Sequence, residues 1–312
     1  MAIDNVALLD GLNSVISIPL IPYADGKIDF DGHATNINYL MQNNHLSDNR
    51  PRVISIAGTS LIHHVNYDDQ VKIVDITGQT MGDKGVLIAA LMPNPIGETS
   101  GLIEKMSNLN RPPDAYLIMP LGGTYSPEGL YETFHTFANR HASEHDARFL
   151  YYYRRPRDRD MILKLIQDTQ SIVGVKIGTG EHDVKPFVDA LDDSKIVIWG
   201  IGDRSTNAAE QGAEGHTSGI NIFVVRASDE INNYQRAGEF DKARQIEADI
   251  APLEDIRFMA ERKYNYSAVM EAIIASGVDD VVAGSGGPFN PRLPDDVKAE
   301  IQQIVADIQK YH

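Results

Sequence analysis

The chain has 312 residues, of which 28 are basic and 44 acidic, a formal net charge of −16, and 42% are hydrophobic. That is enough for one or two globular domains with a full core, while the negative charge opposes binding to a nucleic-acid backbone, which needs a basic face. The absence of cysteine excludes disulfides, thiolate nucleophiles and Cys-ligated zinc, and it fits a reducing, cytoplasmic setting.

No basic stretch follows Met1 and Asp10 interrupts the first apolar residues, so no signal peptide is expected. The longest apolar run, residues 86–92, is far short of the ~20 residues of a membrane helix. In chain order, short runs rich in Val and Ile and bounded by Gly, Pro or Asp stand at 14–18, 53–57, 86–90, 115–119, 149–153, 173–177, 196–200 and 216–220. Longer amphipathic stretches separate them, which predicts βα units. Eight strands close a parallel barrel, and each run is apolar at nearly every position, as expected when a helical layer covers one face and a filled interior the other. An open doubly wound sheet would carry a glycine-rich turn after its first strand, but here that strand runs into Pro19-Leu20-Ile21-Pro22. Beyond residue 228 the strand signal stops, and 230–247, 252–263, 266–276 and 295–311 carry helical periodicity. The predicted architecture is an α/β fold, a (β/α)8 TIM barrel over 1–228 with a C-terminal helical segment, 229–312, packed on it.

Lys176 stands in the middle of the β-branched run 171–180, with no acidic partner nearby in sequence. If its ammonium is desolvated the pKa falls, and the neutral amine becomes a nucleophile for a carbonyl carbon. The alternative is a lysine on an exposed strand face, paired with a carboxylate. Tyr153 ends the fifth run, at the C-terminal rim where barrel active sites are built, and can shuttle a proton there or simply pack. Gly58-Thr59-Ser60 follows the second strand and offers two hydroxyls to a carboxylate, or an N-cap to the next helix. Gly215-His216-Thr217-Ser218-Gly219 is small and polar where bulkier residues would pack better, which leaves room at the barrel mouth or marks a plain glycine-rich strand end. Arg154, Arg155, Arg157 and Arg159, interleaved with Asp158 and Asp160, form the conspicuous cationic cluster of an acidic chain. They suit a polyanionic sugar acid or a solvated helix start.

His141, Glu144 and His145 match an H-x-x-E-H zinc pattern, but they fall on the helix entering the fifth strand, hence on the face opposite the catalytic rim. His63 and His64 are adjacent and point apart on any regular element. No metal and no cofactor are expected.

Gly58-Thr59-Ser60, Tyr153-x-x-Pro156, Gly174-Val175-Lys176, and Gly202-Asp203 followed by Gly212-Ala213-x-Gly215 come in an order that resembles the dihydrodipicolinate synthase / N-acetylneuraminate lyase family. The resemblance runs from Ser17 to Pro294. It implies a homo-oligomeric barrel, usually a tetramer, with Schiff-base chemistry on pyruvate or another 2-keto acid. It also implies that Lys176 forms the imine, Tyr153 shuttles protons, Thr59 and Ser60 bind the keto-acid carboxylate, and Thr217 lines the pocket through its main chain. Arg154 and Arg155 are placed to recognise the distal end of the substrate.

The chain departs from the family's pattern at several positions. Its Gly-Thr-Thr-Gly-Glu becomes Gly58-Thr59-Ser60-Leu61-Ile62, Pro-Tyr-Tyr becomes Pro120-Leu121-Gly122, and the Asn after the tyrosine becomes Arg154. The relay tyrosine is then missing unless Tyr125 substitutes. These changes argue against the lysine-biosynthetic condensation and leave the second substrate unread. The expected activity is that of an aldolase or dehydratase acting on pyruvate or another 2-keto acid, in first place a 2-keto-3-deoxy sugar acid. The alternative is an inactive keto-acid-binding paralogue or sensor. No nucleic acid or membrane partner is expected.

Overall fold

The computed structural model describes residues 3–312. Ten strands follow in chain order: β1 (Val15–Ser17), β2 (Tyr23–Ala24), β3 (Lys27–Ile28), β4 (Val53–Ile56), β5 (Val86–Leu91), β6 (Ala115–Ile118), β7 (Phe149–Tyr153), β8 (Ile172–Ile177), β9 (Ile196–Trp199) and β10 (His216–Ser218). β2 and β3 form a small antiparallel hairpin. The other eight pair in parallel, each with its sequence neighbour, and β1 closes the ring between β10 and β4. This is the (β/α)8 barrel that the eight apolar runs predict, and each expected strand is present within a residue or two of its expected ends. All residues of the eight barrel strands are buried, which is why those runs do not alternate.

The intervening helices start where the chain supplies caps. Asn66 accepts from the Asp69 amide at 2.9 Å and opens Tyr67–Met81, and Ser126 accepts from the Gly129 amide at 3.0 Å ahead of Pro127.

The C-terminal helices differ in two respects from the sequence expectation. The stretch 230–247 is not one helix: Val225–Arg236 ends before Gly238, whose left-handed φ of +72° stops it, and a new helix, Phe240–Arg262, begins. Pro252 does not open a helix but lies inside this second one. Ser267–Ser276 and Asp295–Asp307 complete the set, the latter ending in a short 3-10 turn at Gln309–Tyr311.

Two polar ties, the first fully buried and the second half-buried, bind these helices to the barrel. Arg52, entering β4, donates through both guanidinium nitrogens to Asp229 at 2.8 and 2.7 Å, with both side chains sequestered from water. Glu247 accepts from the amides of Ser205 and Thr206 at 2.8 Å each and from the Thr206 hydroxyl at 2.6 Å. Removing one member of a buried pair strands the other charge, so Asp229→Ala is expected to lower the unfolding free energy by about 3–5 kcal/mol. Urea titration of the purified variant checks this; a loss under 1 kcal/mol would mean that water reaches Arg52.

Candidate active site

The register between β7 and β8 sets the geometry of the site. Tyr152 pairs with Lys176, Tyr151 with Val175 and Tyr153 with Ile177. Residues paired across parallel strands point to the same face. Tyr152 and Lys176 therefore project together, and Lys176 Nζ lies 4.3 Å from the centroid of the Tyr152 ring. Tyr151 and Tyr153 project the other way, into the helical layer. Tyr151 packs edge-on against Phe134, and the Tyr153 ring centroid is 5.0 Å from that of Phe187.

Lys176 is only 5% exposed and makes no ion pair among the described residues. Burial is the largest influence on its pKa and lowers it; the nearby Tyr152 opposes this, and the Arg154 guanidinium adds to the lowering. Gly200, just after β9, leaves space for the lysine stem: a Cβ there would stand 2.8 Å from Lys176 Cγ.

A cavity of about 170 Å³ opens above the amine. Its floor and walls come from the C-terminal ends of the barrel strands: Ile18, Gly58 and Thr59, Met119 and Pro120, Tyr152, Lys176, Gly200, and Thr217 with Gly219. Arg154 joins the wall, donating from Nη1 to the Tyr152 hydroxyl at 3.3 Å. His63 also lines it, and its pKa is lowered by burial first and by His64 and Arg154 next. The roof comes from the C-terminal helical segment, which supplies Arg257, Phe258, Arg262 and Asn265. The Thr59 hydroxyl accepts from Asn265 at 3.3 Å, and Asn265 accepts in turn from Arg257 at 2.8 Å. A hydroxyl held as acceptor in this way keeps its own proton to donate to an anion.

Of the residues expected at the site, the fold brings Lys176, Thr59, Thr217 and Arg154 to one cavity. Tyr153, Ser60 and Arg155 do not line it. The Tyr153 hydroxyl turns toward the helical side, where it donates to the Pro156 carbonyl at 3.4 Å, and burial and then Asp183 raise its pKa. Ser60 is fully buried and spends its hydroxyl on the Pro19 carbonyl at 2.6 Å. The Arg155 guanidinium lies over the Tyr125 ring, 5.3 Å from its centroid. Tyr125 donates to Asp158 at 2.6 Å and is not in the cavity wall either.

The side chains of His141, Glu144 and His145 do bring ligand atoms within 4.8 Å of one another. They end the helix Pro127–His145 just before β7 begins, so they sit at the barrel's opposite end from Lys176. There Glu144 pairs with Arg140, and His141 Nε2 is 3.0 Å from the Ser100 hydroxyl.

The sequence as a whole matches a family model, described as the dihydrodipicolinate synthetase family, over residues 11–307. The chain belongs to this family. It is similar to the 4-hydroxy-tetrahydrodipicolinate synthase of Teredinibacter turnerae, with 23% identity over 251 residues that cover 79% of this chain and 83% of the relative. Its fold is similar to that of the dihydrodipicolinate synthase from Bacillus clausii, with a TM-score of 0.86, 20% identity and coverage of 96% of this chain and 98% of the other. It is also similar to the chloride-inhibited dihydrodipicolinate synthase from Acinetobacter baumannii, a structure complexed with pyruvate (TM-score 0.80, 20% identity, 95% and 98% covered).

Against the family's pattern, Leu61 replaces a glycine and takes a left-handed φ of +54°, a conformation that costs a side-chain-bearing residue about 1–2 kcal/mol. Its side chain is buried in the core, beside Gly287 of the loop before the last helix. The family's acidic residue at the next position is the buried Ile62, which joins the same core.

Four hydrogen-bonding residues of the cavity escaped the expectation from sequence: Tyr152, Arg257, Arg262 and Asn265. Tyr152 was within reach, since alternation in a strand pairs it with the lysine once the register of β7 on β8 is known. The other three carry no local signal, because their approach to the barrel depends on how the helix Phe240–Arg262 ends.

Proposed function

We propose that this protein is a Schiff-base lyase acting on an anionic 2-keto acid. Members of its family are lyases. The observation that carries the reading is a lysine amine buried at the C-terminal mouth of the barrel, with no carboxylate partner among the described residues and a tyrosine ring beside it. A neutral amine in that place attacks the C2 carbonyl of a keto acid, and loss of water from the carbinolamine leaves an imine. The imine is an electron sink. Through it either the C3–C4 bond breaks, as in an aldolase, or a C3 proton and a C4 hydroxyl leave, as in a dehydratase. Tyr152 is the group positioned to move the proton, and Thr59 donates to the carboxylate. Arg154 sets the Tyr152 hydroxyl and adds positive charge to the wall. That the Acinetobacter baumannii synthase, similar in fold, is complexed with pyruvate supports a 2-keto acid as the ligand.

The changes at Leu61, Ile62 and Leu121–Gly123 favour a substrate other than that of the synthases, and a 2-keto-3-deoxy sugar acid fits a polar wall. No helix of the described residues is long and apolar enough to cross a membrane.

The test is borohydride reduction in the presence of pyruvate, followed by intact mass measurement and peptide mapping. A reduced pyruvate adduct on Lys176 is expected. Absence of any adduct with pyruvate and with longer 2-keto acids would overturn the lyase reading and leave a binding protein.

A further inference from the structure

The helix Phe240–Arg262 does not end in the ordinary way. Ala260, Glu261 and Arg262 have φ of +42°, +60° and +73° in succession, and none is a glycine. Left-handed backbone costs such residues about 1–2 kcal/mol each, so three in a row persist only where the surroundings hold them. The result of this turn is that Arg257 and Phe258 before it, Arg262 at its end and Asn265 after it all reach the cavity above Lys176.

The two arginines are held differently. Arg257 is 2% exposed, pairs with the buried Glu254 and donates to Asn265, so its charge is matched, while its Nε has no partner among the described residues. It packs against Gly219, where any Cβ would collide with the guanidinium. Arg262 has no carboxylate partner among the described residues. Among the described residues its Nη2 reaches only the Gly178 carbonyl, at a long 3.4 Å, and its Nη1 is buried with no partner. A buried donor left unmade costs about 1–3 kcal/mol, more for a charged group.

The cavity wall therefore holds Lys176, Arg154, Arg257 and Arg262 and not one carboxylate, and Glu254 behind it balances a single one of these charges. Arg154 is occupied in holding the Tyr152 hydroxyl. Arg154 and Arg262 both lack a carboxylate partner among the described residues, and Arg262 is the one of the two with a buried guanidinium nitrogen left without a partner, in a chain whose net charge is −16.

We propose that Arg262, backed by Arg257 and Asn265, binds a second anionic group of the substrate, so that the enzyme takes a dianionic 2-keto acid. The proposal rests on the Schiff-base reading for the first end of the molecule and adds the chemistry of the other end. A carboxylate and a phosphonate or phosphate share this chemistry, since each offers paired oxygens to a guanidinium fork.

The experiment compares the concentration that half-labels Lys176 under borohydride for length-matched acids: 2-oxovalerate, with one charge, against 2-oxoglutarate, with 2-oxoadipate and phosphonopyruvate as further dianions. A charge-assisted contact of about 1.5–3 kcal/mol corresponds to a preference of roughly 10- to 100-fold for a dianion. Arg262→Gln is expected to weaken labelling by 2-oxoglutarate far more than labelling by 2-oxovalerate, bringing the two within about threefold of each other, and Arg262→Lys to restore part of the gap. Preference for 2-oxoadipate or 2-oxoglutarate over phosphonopyruvate identifies a carboxylate, and the reverse identifies a phosphoryl group. Equal labelling by mono- and dianions in the parent protein, or a preference untouched by Arg262→Gln, overturns the proposal.

A second measurement separates this from the chemistry. Calorimetric titration of Lys176→Met with glutarate against valerate needs no imine. Tighter binding of glutarate that is lost on adding Arg262→Gln supports the anion site even if no adduct ever forms, and absence of that difference overturns it.

Discussion

Lys176→Met is expected to abolish borohydride labelling by any 2-keto acid and, with it, turnover, while giving a protein that is more stable than the parent at neutral pH. Both effects come from one cause. Burial pushes the Lys176 pKa below its ordinary 10.5, which means that the folded protein disfavours the ammonium that the unfolded chain carries freely. Between the depressed pKa and 10.5 the unfolded state binds more protons than the folded one, so the parent's stability rises with pH across that window, by up to about 1.4 kcal/mol per pH unit. Below the depressed value both states are protonated and the full cost of the buried charge is present. Methionine has nearly the same shape and no proton to bind, so the variant lacks this slope, and its advantage over the parent is largest at the acidic end. Urea unfolding of both proteins from pH 6 to 10 measures the difference. The labelling rate of the parent follows the neutral amine and is expected to level off below pH 10.5. A stability difference that does not change with pH, or an adduct that persists in the variant, would show that the lysine is solvated or that another amine reacts.

The barrel was legible because burial on both faces of a parallel strand leaves an unbroken apolar run, and eight such runs stand at βα spacing. Lys176 was legible for the same reason turned round: a cation inside one of those runs is costly enough to stand out. What the sequence hides is direction. In Phe149-Leu150-Tyr151-Tyr152-Tyr153 three identical side chains alternate between core and helical layer, and the choice among them is made by pairing with β8, across an irregularity at Phe149 and Leu150. The family motif Tyr-x-x-Pro draws attention to Tyr153, one residue from the one that faces the amine. Thr59 and Ser60 pose the same problem, since adjacent hydroxyls in a 3-10 turn point apart and the Pro19 carbonyl captures one of them. Arg257 and Arg262 were hidden by distance. They lie more than eighty residues beyond Lys176, in a segment whose periodicity speaks only of helix. Nothing in Met259-Ala260-Glu261-Arg262 announces a left-handed turn, because residues of these types ordinarily continue a helix.

The alternation in β7 also yields a second expected result that distinguishes two neighbouring phenols. Tyr152→Phe is expected to lower kcat by about 10²- to 10⁴-fold, the range for loss of a positioned proton-transfer group, while pyruvate still labels Lys176. Imine formation needs the amine and the carbonyl, whereas the later carbon–carbon or carbon–oxygen cleavage needs a proton delivered or removed at the carbon skeleton. Removing the hydroxyl should thus separate the two stages: adduct without turnover. The ring stays in place beside the Lys176 amine and Arg154, so packing is preserved. Tyr153→Phe removes a hydroxyl that makes one long bond to the Pro156 carbonyl on the helical side and is expected to leave kcat within about threefold, its effect confined to roughly 1 kcal/mol of stability. Single-turnover kinetics with the substrate found by screening, read beside the extent of borohydride labelling, measure both stages in each variant. If Tyr153→Phe silences turnover and Tyr152→Phe does not, the strand register is shifted by one residue and the proton path runs on the other face. If both variants turn over normally, the proton is carried by water or by His63, which shares the cavity wall with Arg154 and whose pKa is lowered first by burial and then by His64 and Arg154.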